Sequence, residues 1–240
     1  MNNIREYYLS YDEESRLIKD NAHKVEFDTS IHLLNKYIDA NSKVLDIGAG
    51  TGRYTFYFAK KGASVLAIDF VERHVEIIEN KLTKMENLKI RVEQGDALDL
   101  SRFTDEEFNT ILCMGPLYHL PETEQQIKCL NECRRVLQTG GILAIAYINK
   151  SVHMEYGGNP YFVGLEPDYM ESTLDQLGFK VREHIATDGV SPKIGRLINK
   201  LNEKQYRQWL DFNIEICKCK ASIENTLHAL IIAEKIEQPC

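Results

Sequence analysis

Val44-Leu45-Asp46-Ile47-Gly48-Ala49-Gly50-Thr51-Gly52-Arg53-Tyr54 reads as an apolar strand that runs into a Gly-x-Gly-x-Gly turn and then a helix. Glycine has no Cβ and tolerates positive φ, so such a turn lets the backbone approach a ligand over the end of the strand. A phosphate-cradling loop would need Gly-Lys-Ser/Thr, which is absent. The dinucleotide fingerprint Gly-x-Gly-x-x-Gly fails too, because the third glycine comes one residue early. Asp46 puts a carboxylate where a pyrophosphate would be repelled, so a cationic ligand group suits the loop better.

Outward from this stretch, short apolar runs alternate with longer amphipathic ones, the pattern of an α/β sheet. Strands are predicted at 43–48, 64–70, 88–94, 108–114, 141–148, 178–186 and 226–235. Helices are predicted at about 52–61, 71–84, 119–138 and 167–177, with Gly62, Gly140-Gly141 and Gly178 as stops. Asp69 ends the second run, where a carboxylate can accept from both hydroxyls of a ribose. Gly95-Asp96-Ala97 follows the third run, beside the place an adenine would take.

The 240 residues, 43% hydrophobic and 27% charged, suit one large domain with a real core and argue against disorder. Lys plus Arg is 29 against 36 for Asp plus Glu, a net charge of −7, which disfavours broad nucleic-acid binding. The longest apolar stretch, 142–148, is far below the ~20 residues that cross a bilayer, and the polar start leads to a cytoplasmic reading without membrane contact. The six cysteines include no Cys-x-x-Cys pair and no histidine at zinc spacing, so neither a structural metal nor a disulfide framework is expected. Cys129 and Cys133 share a helix face and read as buried thiols.

The motifs VLDIGAGTGRYTFYFA, VLAIDF, QGDALDL and FNTILCMGPLYHL, in order at the ends of four consecutive strands, resemble those of class I S-adenosylmethionine-dependent methyltransferases. GPLYHL, followed by Arg134-Arg135-Val136-Leu137 and Gly140-Gly141-Ile142-Leu143, is similar to the small-molecule branch that includes quinone-ring methylases. The resemblance spans about 40–148 and implies a Rossmann-like seven-stranded sheet of order 3-2-1-4-5-7-6, the seventh strand antiparallel, with helices on both faces. It also implies S-adenosylmethionine as cofactor, S-adenosylhomocysteine as product, and no metal. Carried over by position, Gly48, Gly50 and Gly52 shape the loop under the methionine part, Asp46 holds its amino group, and Asp69 binds the ribose with Phe70 beside it. Asp96 and Ala97 flank the adenine, Met114 and Gly115 line the reacting end, and Arg53 and Tyr54 contact the cofactor carboxylate or the substrate.

The sulfonium methyl is activated by the cofactor itself, so the protein has to align an acceptor and take its proton where required. His119 at the fourth strand's exit is the candidate base or positioning group, with Tyr118 beside it. Cap elements are expected at about 1–25, 149–166 and 188–222 on a single domain covering 1–240. From them Tyr11, Arg16, Glu26 and His153 could reach the pocket, while Tyr206, Trp209, Leu210, Asn213 and Cys217 form a packing stripe on a helix. His23, His184 and His228 read as surface or packed residues. The expected reaction is methyl transfer to an O or N atom of a small molecule under a lid. The alternatives are a tRNA or protein acceptor, or a non-catalytic cofactor-binding protein; oligomeric state is not legible.

Overall fold

The computed structural model describes residues 2–237; Met1 of the first cap and Cys240 lie outside them. The strands are β1 (Lys43–Ile47), β2 (Ser64–Asp69), β3 (Ile90–Gln94), β4 (Phe108–Cys113), β5 (Leu137–Asn149), β6 (Gly164–Leu165), β7 (Phe179–Ala186) and β8 (His228–Lys235). The helices are α1 (Asn2–Ser10), α2 (Asn21–Leu34), α3 (Arg53–Lys60), α4 (Glu72–Leu82), α5 (Thr123–Val136), α6 (Lys150–Glu155), α7 (Pro167–Gln176), α8 (Ser191–Ile198), α9 (Glu203–Cys217) and α10 (Lys220–Asn225). The sheet order is β3-β2-β1-β4-β5-β8-β7, with the two-residue β6 paired to the end of β5. Among the described residues β8 is antiparallel to both its neighbours, β5 and β7, while the other pairings are parallel, so the order and the reversed strand agree with the class I methyltransferase fold once β6 is set aside.

Central strands buried on both faces need apolar residues at nearly every position, and β1 is buried from Val44 to Ile47. Its alternation sends Leu45 and Ile47 to a layer with α5 and α7, and Val44 to one with α2 and α3. A one-residue slip would exchange these sets, at roughly 1.5–3 kcal/mol per large apolar side chain exposed. Asp46 falls on the α3 side, which is why its partner is Thr55. The edge strand β3 is half-exposed and carries Arg91, Glu93 and Gln94, polar protection of an open edge.

Two pattern-based expectations fail here and one holds. α2 is not anticipated by periodicity, because its buried face includes Thr29 and Ser30; Asp20 caps it through His23 N at 3.0 Å, and Ser30 Oγ returns to Glu26 O at 2.7 Å. Gly140-Gly141 does not stop a helix: α5 already ends at Val136 and both glycines lie within β5. A Cβ on Gly141 would lie 2.7 Å from Leu137 Cδ1 and 2.8 Å from Gln138 O, so the irregular start of β5 needs glycine there. The α9 stripe packs as expected, Tyr206 and Leu210 meeting Val25 and Ile198, with Tyr206 Oη donating to Asp28 at 2.9 Å.

Among the described residues every cysteine is a free thiol, and no helix is long and apolar enough to cross a membrane. Cys113 of β4 joins Cys129 and Cys133 in the core, the three sulfurs lying within 4.8 Å of one another.

Candidate active site

A cleft opens at the carboxyl ends of β1, β2, β3 and β4. The loop after β1 is drawn over β2 by hydrogen bonds from Gly48 N (2.8 Å) and Ala49 N (3.1 Å) to Ile68 O. Gly48, Gly50 and Gly52 all have positive φ, which a side-chain-bearing residue adopts only with strain. A Cβ on Gly48 would touch Pro116 Cδ at 3.0 Å, so this glycine lets the β1 and β4 loops close on each other. Gly48 and Gly50 line the cleft, whereas Gly52 does not. Gly52 sits behind the loop, where a Cβ would meet Phe56 at 2.9 Å and Ile78 at 3.0 Å, and its task is packing.

Asp69 organises the floor. Its Oδ2 accepts from Gly50 N at 2.7 Å, and its Oδ1 from Val71 N at 2.8 Å and His74 Nδ1 at 3.1 Å. A carboxylate has about four acceptor positions, so one remains for a ligand hydroxyl. His74 is the residue sequence reading missed here; its signal is a histidine in the first turn after an acidic strand end. Asp46 is 1% exposed and takes the Thr55 hydroxyl at 2.6 Å, with no cation paired to it among the described residues. Burial pushes its carboxyl up to about 7 against the stabilising Thr55 contact, with Asp69 adding to the rise. An unpaired buried carboxyl beside a glycine cradle fits a ligand that brings an amino group.

Asp96 closes its own turn, Oδ1 accepting from Leu98 N at 2.9 Å, and it lines the cleft with Ala97. Met114, Gly115, Phe70, Arg53 and Tyr54 line it as well. Arg53 donates to Glu14 O at 2.9 Å, and the Arg5 guanidinium lies 4.3 Å from the centre of the Phe70 ring, so the N-terminal segment covers the opening. Ile4, Tyr8, Glu13 and Leu17 of that segment contribute to the wall.

His119 has both ring nitrogens engaged in this structure. Tyr161 O, which can only accept, lies 3.1 Å from Nδ1, so that nitrogen bears the hydrogen. Nε2 therefore accepts from Tyr8 Oη at 2.9 Å. Burial pushes the ring down to about 4, so it is neutral and weakly basic near pH 7. The residue read as a catalytic candidate ties α1 to the 159–163 segment. Tyr118 Oη donates to Met114 O at 3.1 Å and stands between this cleft and a second chamber.

That chamber has a volume of about 660 Å³ and shares Tyr8, Glu13, Arg16 and Tyr118 with the cleft. Tyr11, Arg16, Glu26 and His153 all line it, and so do His23 and His228, which sequence reading passed over. Arg16 bridges Glu13 at 3.1 Å and Glu26 at 3.0 Å. His184 stays away from it, bonded to Tyr147 and Glu171.

Residues 44–141 match the family model described as a methyltransferase domain. That stretch is similar to a methyltransferase domain. Within it lie the β1 loop, Asp69, Asp96 and the Met114–His119 segment. A demethylmenaquinone methyltransferase of Tropheryma whipplei is 34% identical over 108 residues, 45% of this chain and 42% of that protein. A ubiquinone biosynthesis O-methyltransferase of Pseudomonas syringae pv. tomato is 30% identical over 113 residues, 47% of each. The chain thus spans about half the length of the curated relatives it matches. A SAM-dependent methyltransferase from Archaeoglobus fulgidus shares the fold beyond that domain, with a TM-score of 0.64 at 19% identity over 95% of this chain and 99% of that one. A second, from Methanosarcina mazei, gives 0.63 at 17% identity over 86% and 98%.

Proposed function

We propose that the protein transfers a methyl group from S-adenosylmethionine to a small molecule held in the second chamber. The observation that supports this reading is the adjacency of two cavities: a glycine-cradled cleft with acidic groups at three strand ends, sharing Tyr8, Glu13, Arg16 and Tyr118 as a common wall with a half-open chamber. Asp46 would take the amino group, Asp69 a ribose hydroxyl, and Asp96 with Ala97 the adenine. Bound there, S-adenosylmethionine supplies a methyl group already activated on a sulfonium.

The chain's own contribution is orientation and exclusion of water. Tyr8 and Tyr118 belong to the wall that both cavities share, and the Tyr8–His119 hydrogen bond would hold α1 closed over the cleft as a lid. The chamber walls, with Tyr11, Tyr156 and Phe162, suit a planar apolar body, which agrees with relatives named for quinone methylation. The net charge of −7 favours a small acceptor over a nucleic acid. Incubation with S-adenosylmethionine and a panel of phenols, hydroxyquinones and amines tests the reading. It predicts acceptor-dependent S-adenosylhomocysteine release from at least one class of acceptor. Release from none of them, with the cofactor bound, would contradict it and favour a non-catalytic binding role.

A further inference from the structure

We propose that His228, oriented by Asp188, is the general base that takes the proton from an acidic hydroxyl on a planar acceptor, a phenol or an enol. The inference rests on the methyltransferase reading above and adds to it the acceptor class and the residue that activates it.

His228 opens β8, and Asp188 follows β7, where the two antiparallel strands bring them together across 40 residues of sequence. Asp188 is 5% exposed, and its Oδ2 lies 2.9 Å from His228 Nδ1. Its Oδ1 accepts from His228 N at 3.2 Å and from the Thr226 hydroxyl, while Gly189 N donates to that hydroxyl at 3.1 Å. The carboxylate is therefore fixed at several points and in turn fixes the ring. A carboxylate can only accept, so Nδ1 carries the hydrogen and the neutral ring has its lone pair on Nε2. Nε2 makes no hydrogen bond with any described residue, and His228 lines the chamber. This base–orienter pair is what proton abstraction requires. His119, with both nitrogens engaged, lacks it.

The surroundings favour the imidazolium that results. Glu26 of α2 places Oε2 3.7 Å from His228 Nδ1, and Asp188 approaches from the β7 side. Arg16, the cation facing them, is shared between Glu26 and Glu13, so carboxylates outnumber it three to one. Burial alone would depress the histidine, but Glu26 and Asp188 outweigh burial and Arg16 and hold it above its ordinary value. In the step, the O–H bond breaks and its electron pair stays on oxygen, ready for the methyl carbon. The proton forms the Nε2–H bond, and Asp188 and Glu26 balance the new positive charge. A hydroxyl on a ring needs this help because its oxygen attacks well only as it ionises.

The probe is para-nitrophenol, whose neutral and ionised forms differ in visible absorbance, added to the full chain saturated with S-adenosylhomocysteine. The proposal predicts that the ratio of ionised to neutral probe is about tenfold higher for bound than for free probe at the same pH, and that His228→Gln binds it as the neutral phenol. In the wild-type protein, held at a pH above the titration of the probe-free His228 ring, the His228 ring-proton NMR shift must move to the imidazolium position as the probe binds, a readout that needs no variant. Asp188→Asn should give an intermediate ionised fraction. Equal ionisation in wild type and His228→Gln, no probe binding by the wild type, or an unmoved His228 signal would each overturn it. Calorimetry of S-adenosylhomocysteine is run first: its failure to bind refutes the methyltransferase reading, whereas its binding without His228-dependent ionisation refutes this inference alone.

Discussion

Asp46→Asn separates the folding cost of a buried carboxyl from its use in binding. The Asp46 carboxyl titrates at about 7 in the fold against an ordinary 3.8, so the folded state holds its proton more tightly than the unfolded state does. For a group raised in this way, stability is full below pH 4 and declines as pH rises from about 4 to about 7. At roughly 1.4 kcal/mol per pH unit the difference corresponds to ~4 kcal/mol, an upper figure because the site can relax around the charge. Asparagine keeps an acceptor for the Thr55 hydroxyl and carries no charge, so the ligand-free variant should lack this decline. Urea unfolding of both proteins at a series of pH values should show the variant gaining on wild type by ~2–4 kcal/mol between pH 4 and pH 8. In the same series, the wild-type affinity for S-adenosylhomocysteine should rise as Asp46 ionises and pairs with the ligand's amino group, and the variant's should stay flat and weaker. Parallel stability curves would refute the assignment of a raised carboxyl. A variant that binds as tightly as wild type at pH 8 would remove Asp46 from the amino-group site.

Gly52→Ala should destabilise by ~1–3 kcal/mol, through the positive φ of 85° and the 2.9 Å approach to Phe56, and a shifted urea midpoint with unchanged slope is the check. Tyr8→Phe removes the hydroxyl that His119 Nε2 accepts and should speed S-adenosylhomocysteine release several-fold in stopped-flow experiments, with little change in urea stability. An unchanged release rate would mean that α1 is not a lid.

The sheet was legible because its central strands are nearly continuous apolar runs, and the β1 loop because its glycines and its acidic partner lie close together in sequence. The charged wall of the chamber was not. Arg16, Glu26, Asp188 and His228 stand in four separate stretches, and only the pairing of β7 with β8 and the docking of α2 bring them into contact. Read alone, His228 is a polar residue on a buried strand. The surroundings of His119 were hidden for the same reason: its place after β4 is legible, while its partners, Tyr8 and Tyr161, lie 111 and 42 residues away and occupy both ring nitrogens. α2 was missed because Thr29 and Ser30 break the apolar stripe on its buried face. Periodicity reports what a segment buries; it does not report which distant polar group it meets.

The central claim is that the glycine cleft takes an adenosyl-sulfur cofactor. Thermal unfolding of the full chain with S-adenosylmethionine, S-adenosylhomocysteine or NAD tests it without any acceptor. A ligand at ~100 times its dissociation constant stabilises by ~2.7 kcal/mol, or roughly 5–10 °C for a chain of this size. The account predicts that shift with both adenosyl-sulfur ligands and none with NAD; a shift with NAD alone, or with none of the three, would contradict it.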